Sequence, residues 1–210
     1  HTMVKRMDLP GPLGEAWIER DRQHLSPSYT RPYPFVMDRG QGADVWDLDG
    51  HRFLDFCAGI AVCSTGHSHP KVVRAIQEQA EKFLHISSDF YHPNWVALGG
   101  RLNDIAPFDE PALTFMSNSG TESVEAAIKL ARLYGHGRGV SKPSIVVLEG
   151  AFHGRTLATL SATGNRKIQA GFEPLVSGFI RAPREDLEAL RQIASNNPGV
   201  VAVLAEPIQG

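Results

Sequence analysis

Cysteine is scarce: Cys57 and Cys63 are the only two in 210 residues. Two thiols cannot build a disulfide framework, and these do not form a C-x-x-C pair, so a reducing, cytoplasmic setting is the simplest expectation. An excess of charge is lacking too. A formal net charge of −2 gives no reason to expect nucleic acid or an anionic membrane as partner. No apolar run approaches the roughly 20 residues of a bilayer-spanning helix. Neither phosphate signature of the nucleotide binders occurs: there is no G-x-x-x-x-G-K-[ST], and no G-x-G-x-x-G follows a strand. Internal repeats and low-complexity tracts are missing as well. What remains, 42% hydrophobic and 21% charged residues, has the balance of a globular protein, long enough for one sizeable domain or one and a half.

The chain is organised around Phe115-Met116-Ser117-Asn118-Ser119-Gly120-Thr121-Glu122. Ala112–Met116 is a short apolar run that predicts a buried strand. From Thr121 to Tyr134, Val124, Ala127, Ile128, Ala131 and Tyr134 recur at helical spacing. A turn of small polar residues into a helix leaves backbone N–H groups free at the positive end of the helix dipole, which suits an anion. The same residues also spell a capping box, Ser119 capping and Glu122 reaching back. Local pattern leaves both readings open.

Before this point the chain reads as an arm and a small antiparallel unit. Gly14–Gln23 predicts a helical turn or two, and the prolines of Ser26–Pro34 force an extended path. Strands are expected at Phe35–Asp38, Asp44–Asp47 and Arg52–Phe56, the last two joined by an Asp49-Gly50 turn. Helices are expected from Pro70 to about Phe83 and from Asn94 to Ile105. His67 and His69 invite a metal reading, but no cluster of further ligands lies nearby in sequence, so no metal is expected. Beyond the central motif, Ser144–Leu148 and Val200–Ala205 predict buried strands, with a helix at Arg184–Ser195 between them. Strands alternating with helices imply an α/β architecture with a mainly parallel sheet. Three of these strands end in chemically distinctive residues: Ser119-Gly120-Thr121, Phe152–Arg155 and Glu206. Ligands bind beyond the carboxyl ends of such strands, and phosphate donors, an aromatic plate, a guanidinium and a carboxylate suit a flat, phosphorylated, aromatic molecule.

Taken together, the words Asp47–Gly50 with Phe53–Phe56, Gly66–Pro70, Asn118–Glu122, Phe152–Thr156 and Glu206–Gly210 resemble the class III aminotransferases. These are pyridoxal-phosphate enzymes that include the acetylornithine, ornithine and 4-aminobutyrate transaminases. The resemblance runs from about residue 33 to the last residue. It implies the pyridoxal-phosphate-dependent transferase fold type I, with residues 1–62 as N-terminal arm and small-domain strands and 63–210 as the first part of the large cofactor-binding domain. It further implies that Ser119, Gly120 and Thr121 hold the phosphate of pyridoxal 5'-phosphate. Phe152 would stack on its ring, with His153 beside it, and Glu206 would support the groups that grip the ring nitrogen. Arg155 would bind a substrate carboxylate, as its bidentate fork suits, and Ile60 would border the substrate pocket.

The family's Schiff-base lysine has no counterpart among Lys5, Lys71, Lys82, Lys129, Lys142 and Lys167, and is expected beyond Gly210. The chain therefore reads as the N-terminal part of a longer enzyme, the opening His1-Thr2-Met3 being a tag remnant. An amino donor and a keto acid such as 2-oxoglutarate would be its small-molecule partners. A homodimer is implied, with Tyr91 and Trp95 as interface anchors. Two alternatives stand beside this: a racemase or aminomutase of the same fold, and a non-catalytic phosphate-binding or dimerising module.

Overall fold

A computed structural model describes residues 8–209 of the chain. The tag-like start, Lys5 and Gly210 lie outside the described residues. The chain falls into two compact units, one up to Phe90 and the other from Tyr91 onward.

In the first unit, helix α1 (Pro12–His24) precedes an antiparallel sheet in the order β1-β2-β3, formed by β1 (Met37–Gln41), β2 (Asp44–Asp47) and β3 (Arg52–Leu54). The first strand lies later than Phe35–Asp38 because the turn after it is made at Gly42, whose φ of +60° favours glycine. The second turn follows the Asp-Gly signal. Gly50 has φ +85°, and the buried Asp47 accepts the N–H groups of Asp49 and His51 at 3.1 and 2.7 Å. Asp49 in turn caps α1, its carboxylate accepting from Leu13 N–H at 2.9 Å and Gly14 N–H at 2.8 Å. A short turn of helix, α2 (Ala58–Ala61), and α3 (Pro70–Ala80) complete this unit. Proline at the first turn of α3 starts the helix where its missing N–H costs nothing.

The second unit begins with α4 (Pro93–Asp104) and α5 (Gly120–Gly137). Then follow β4 (Ser144–Leu148), α6 (Leu157–Ala162), α7 (Arg166–Gln169), β5 (Phe179–Ala182), α8 (Leu187–Asn196) and β6 (Val200–Leu204). The three strands form a parallel sheet in the order β5-β4-β6. β4 lies in the middle, and its Ile145, Val146 and Val147 are 2, 1 and 0% exposed. A fully buried side chain of this kind contributes about 1.5–3 kcal/mol. Ile145, Val147, Ile128 and Ala162 form the core, with Val124 and Ala131 of α5 packed on it.

Two expectations are corrected here. Ala112–Met116 is not a strand of this sheet. It keeps the period of two, with Leu113 and Phe115 exposed and their neighbours half-buried, but a strand exists only through a ladder partner. Thr114 instead fastens the segment to α4, its hydroxyl meeting Asn103 Oδ1 at 2.6 Å and Gly99 O at 3.2 Å. The inward face of α5 is also rotated from the one expected. Ala127 and Tyr134 are exposed, and the stripe runs Val124, Ile128, Ala131, Gly135. A Cβ on Gly135 would lie 2.8 Å from Val201 Cγ1 and 2.9 Å from Pro143 Cγ, so the helix approaches the sheet there only because that side chain is missing.

Candidate functional site

Because β4 and β6 are parallel, their carboxyl ends lie on one edge of the sheet. From β4 the chain enters Glu149–Thr156, turning at Gly150 with φ +76°; from β6 it enters Ala205–Gln209. The two loops are joined directly, since Phe152 N–H donates to Glu206 Oε2 at 2.8 Å. Behind them, Arg184, just past β5, donates to Gln209 Oε1 at 2.5 Å.

The N-terminus of α5 reaches this edge although no strand of the sheet leads into it. Gly154 has φ +133°, and a Cβ there would lie 2.5 Å from both Thr121 Oγ1 and Thr159 Oγ1. Thr121 and the Phe152–Arg155 loop are therefore in close contact. The predicted convergence of three strand ends is corrected to two strand ends and one helix end.

At that helix end both local readings have a place. Ser119 Oγ accepts from Glu122 N–H at 3.2 Å and Ser119 O from Ser123 N–H at 3.1 Å. Glu122 Oε2 reaches back to Asn118 N–H at 2.6 Å. The cap thus consumes the third and fourth N–H groups. Those of Gly120 and Thr121 have no protein acceptor among the described residues, and free donors at a helix start suit an anion.

Phe152 is half-exposed, and the Arg155 guanidinium lies 5.9 Å from its ring centroid, within cation–π range. Arg155 is exposed and forms no ion pair among the described residues. His153 is the reverse. It is 6% exposed, its N–H donates to Thr163 Oγ1 at 3.0 Å, and its Nε2 is buried without a partner. Burial pushes its pKa below the ordinary 6.5, partly offset by the nearby Glu206 charge. A neutral buried imidazole binds fewer protons than it does in the unfolded chain. Its contribution to stability is full above the unfolded pKa and is lost as the pH falls toward the folded value. Urea unfolding from about pH 8 to about pH 5 should therefore show an acid loss that His153→Gln makes shallower. Equal slopes in the two proteins would refute this.

Ile60 belongs to the first unit. It is 88% exposed and sits at φ +61° between Gly59 at +64° and Ala61 at +60°. Left-handed backbone costs a non-glycine residue about 1–2 kcal/mol. The turn is held at its base by Asp55, which accepts Cys57 and Ala58 N–H at 2.8 and 2.9 Å and lies 2.6 Å from His67 Nε2. That hydrogen bond, with the two N–H groups, holds the Asp55 carboxyl below the usual range.

Sequence reasoning missed Glu125, Thr159 and the role of Thr156 at the contact between α5 and the loop, and Thr163, which holds the loop from the side of α6. Thr156 Oγ1 donates to Glu125 Oε1 and lies 2.8 Å from Thr159 Oγ1. One signal was available: Glu125 stands four residues after Thr121, on the same helix face. For a phosphorylated ring cofactor the residues present fit. Free N–H donors, a glycine whose Cβ would fill the contact, an open aromatic face and a buried imidazole nitrogen lie on connected segments.

Residues 25–210 match the family described as aminotransferase class-III. An acetylornithine aminotransferase from Nitrosomonas europaea is 49% identical over 188 residues, which are 89% of this chain and 47% of that protein. Among solved structures, an ornithine aminotransferase from Toxoplasma gondii with pyridoxal phosphate at partial occupancy in its active site superposes with a TM-score of 0.84. It is 29% identical, over 93% of this chain and 46% of that one. An acetylornithine aminotransferase from Elizabethkingia anophelis gives a TM-score of 0.75 at 33% identity, over 94% and 45% of the two chains. The chain thus spans about half the length of the relatives it matches.

Proposed function

This chain belongs to the class III aminotransferases, and on that premise we propose that the intact protein moves an amino group from an N-acetylornithine-type donor to a keto acid such as 2-oxoglutarate. The observation that carries the reading is the close approach of Thr121 to Gly154. It sets the free donors of α5 beside Phe152, Arg155 and Glu206. Names of relatives favour the acetylated donor over ornithine or 4-aminobutyrate.

Pyridoxal 5'-phosphate is the cofactor of this reading, and when bound it supplies the electron sink for the bond broken at the amino-bearing carbon. The chain's own part is to hold and orient. Gly120 and Thr121 N–H, with the Ser119 and Thr121 hydroxyls, hold the phosphate. Phe152 offers its open face to the ring. Glu206 fixes the Phe152 backbone and places a carboxylate at the same edge, with the neutral His153 behind it. Arg155 grips a substrate carboxylate with its fork. Residues 1–62 serve as arm and small-domain strands, and 63–210 open the cofactor-binding domain. The protein acts as a cytoplasmic homodimer, in which the 96% exposed Tyr91 and the partly exposed Trp95 are interface anchors. No helix among the described residues is long and apolar enough to cross a membrane.

The test is direct. Full-length protein given pyridoxal phosphate, N-acetylornithine and 2-oxoglutarate should form glutamate. Racemisation of an amino acid without amino transfer, or no turnover with any amino donor, would overturn the proposal.

A further inference from the structure

The apolar stripe of α5 holds the helix on the sheet through non-directional contact, and the seat of Gly135 and the Arg132 bond to Ser177 O at 2.7 Å place the far end of the helix. Its first turns are placed by a polar strip. Thr121 and Glu125 are one turn apart on it. Thr121 Oγ1 abuts Gly154, where a Cβ would come within 2.5 Å. One turn on, the half-buried Glu125 carboxylate accepts from Thr156 Oγ1. The fully buried Thr159 backs the pair, its hydroxyl 2.8 Å from that of Thr156 and donating to Thr156 O at 3.2 Å. A single turn of α5 thus touches both ends of the segment 154–156, which is continuous with Phe152.

We propose that Glu125 and Thr156 are positioning residues that fix the separation between the phosphate donors at the start of α5 and the aromatic plate of Phe152. This rests on the class III reading above. A ligand whose phosphate and ring are joined by a short bridge engages both anchors only when their spacing is right, and misplacement by about 1 Å is costly. A ligand that uses the helix end alone is indifferent to it.

That difference supplies the test. In full-length apoprotein, Kd is measured for pyridoxal phosphate by quenching of protein fluorescence and for inorganic phosphate by competition. The circular dichroism of the bound cofactor is recorded alongside. Thr156→Val, which keeps the shape and removes the hydroxyl, should weaken pyridoxal phosphate about 10-fold and change its dichroism, in line with loss of a hydrogen bond to a charged group. Inorganic phosphate should hold to within about 2-fold, and Thr156→Ser should restore the wild-type values. Equal weakening of both ligands, or an unchanged Kd for pyridoxal phosphate, would overturn the proposal. Should Thr156→Val fail to fold, Glu125→Gln carries the same comparison with an expected loss of about 3-fold, and an unchanged Kd for pyridoxal phosphate would again overturn it. A wild-type protein that does not bind pyridoxal phosphate would sink the class III reading and this proposal together. A wild type that binds it, with a valine variant that binds it equally, would sink this proposal alone.

Discussion

Replacing Arg155 with alanine should lower kcat/KM for carboxylate-bearing substrates about 100-fold, with lysine recovering only part of the loss. On the proposed reading its guanidinium faces the substrate, free of any ion pair among the described residues and steered by the Phe152 ring. Truncating one partner of a desolvated charge pair costs about 2–5 kcal/mol, and each ~1.4 kcal/mol is tenfold in rate. Lysine keeps the charge but not the two-pronged geometry. The control is an amine without a carboxylate, assayed with the same variants. It should be nearly unaffected as donor in the half-reaction that precedes the keto acid. An equal loss for both classes of amine would make Arg155 a structural residue.

The largest effect on stability is expected at Gly164. Its N–H donates to Ala151 O at 2.7 Å, and a Cβ there would lie 2.3 Å from Gly150 N, 2.8 Å from Leu148 O and 2.9 Å from Glu149 C. All three are main-chain atoms at the end of β4, so no side chain can swing aside. Overpacking costs typically 1–3 kcal/mol, and relief through a stiffer unfolded chain returns at most about 1 kcal/mol. Gly164→Ala should therefore destabilise by about 2 kcal/mol, read as a lower urea midpoint at unchanged slope. Because the clash falls at Gly150, two residues before Phe152, cofactor affinity should fall with it. Gly137→Ala makes the contrast. Open space surrounds that position, and alanine suits a helix better by up to about 1 kcal/mol. A neutral Gly164→Ala would refute the close approach.

Where the sequence carried period and punctuation, the fold could be read from it. Ser144–Leu148 is a strand over the expected residues, α5 covers the expected helix, and the Asp49-Gly50 turn lies where its dipeptide put it. Elsewhere the signal was cancelled by the environment. α6 has no polar face to give a period, since Thr159–Ala162 are all buried and the hydroxyls of Thr159 and Ser161 are spent on backbone carbonyls. β5 is four residues long, and its Arg181 puts a charge into an otherwise apolar run. It is tolerated because its guanidinium donates to Thr163 O and Ser161 O at 2.9 and 2.8 Å. Ala112–Met116 has the composition of a strand and the period of one, but pairing is a property of two segments and cannot be read from one. The same holds at the site. Residues in family words were nameable from sequence, whereas the Glu125–Thr156 contact joins positions 31 apart that no sequence pattern pairs.

One carboxylate in the first unit has a consequence for folding. Asp49 sits in the β2–β3 turn and ends the open backbone of α1, two jobs that only a formed hairpin lets it do together. α1 has a largely polar sequence, and its own cap position, Gly11, offers no side chain to start it. Isolated helices of about 13 residues are marginal in water. α1 is therefore a dependent of the hairpin. It has no reason to persist as a helix in a chain whose turn has opened, and the amide protons of Leu13 and Gly14 are reporters of a turn more than thirty residues away.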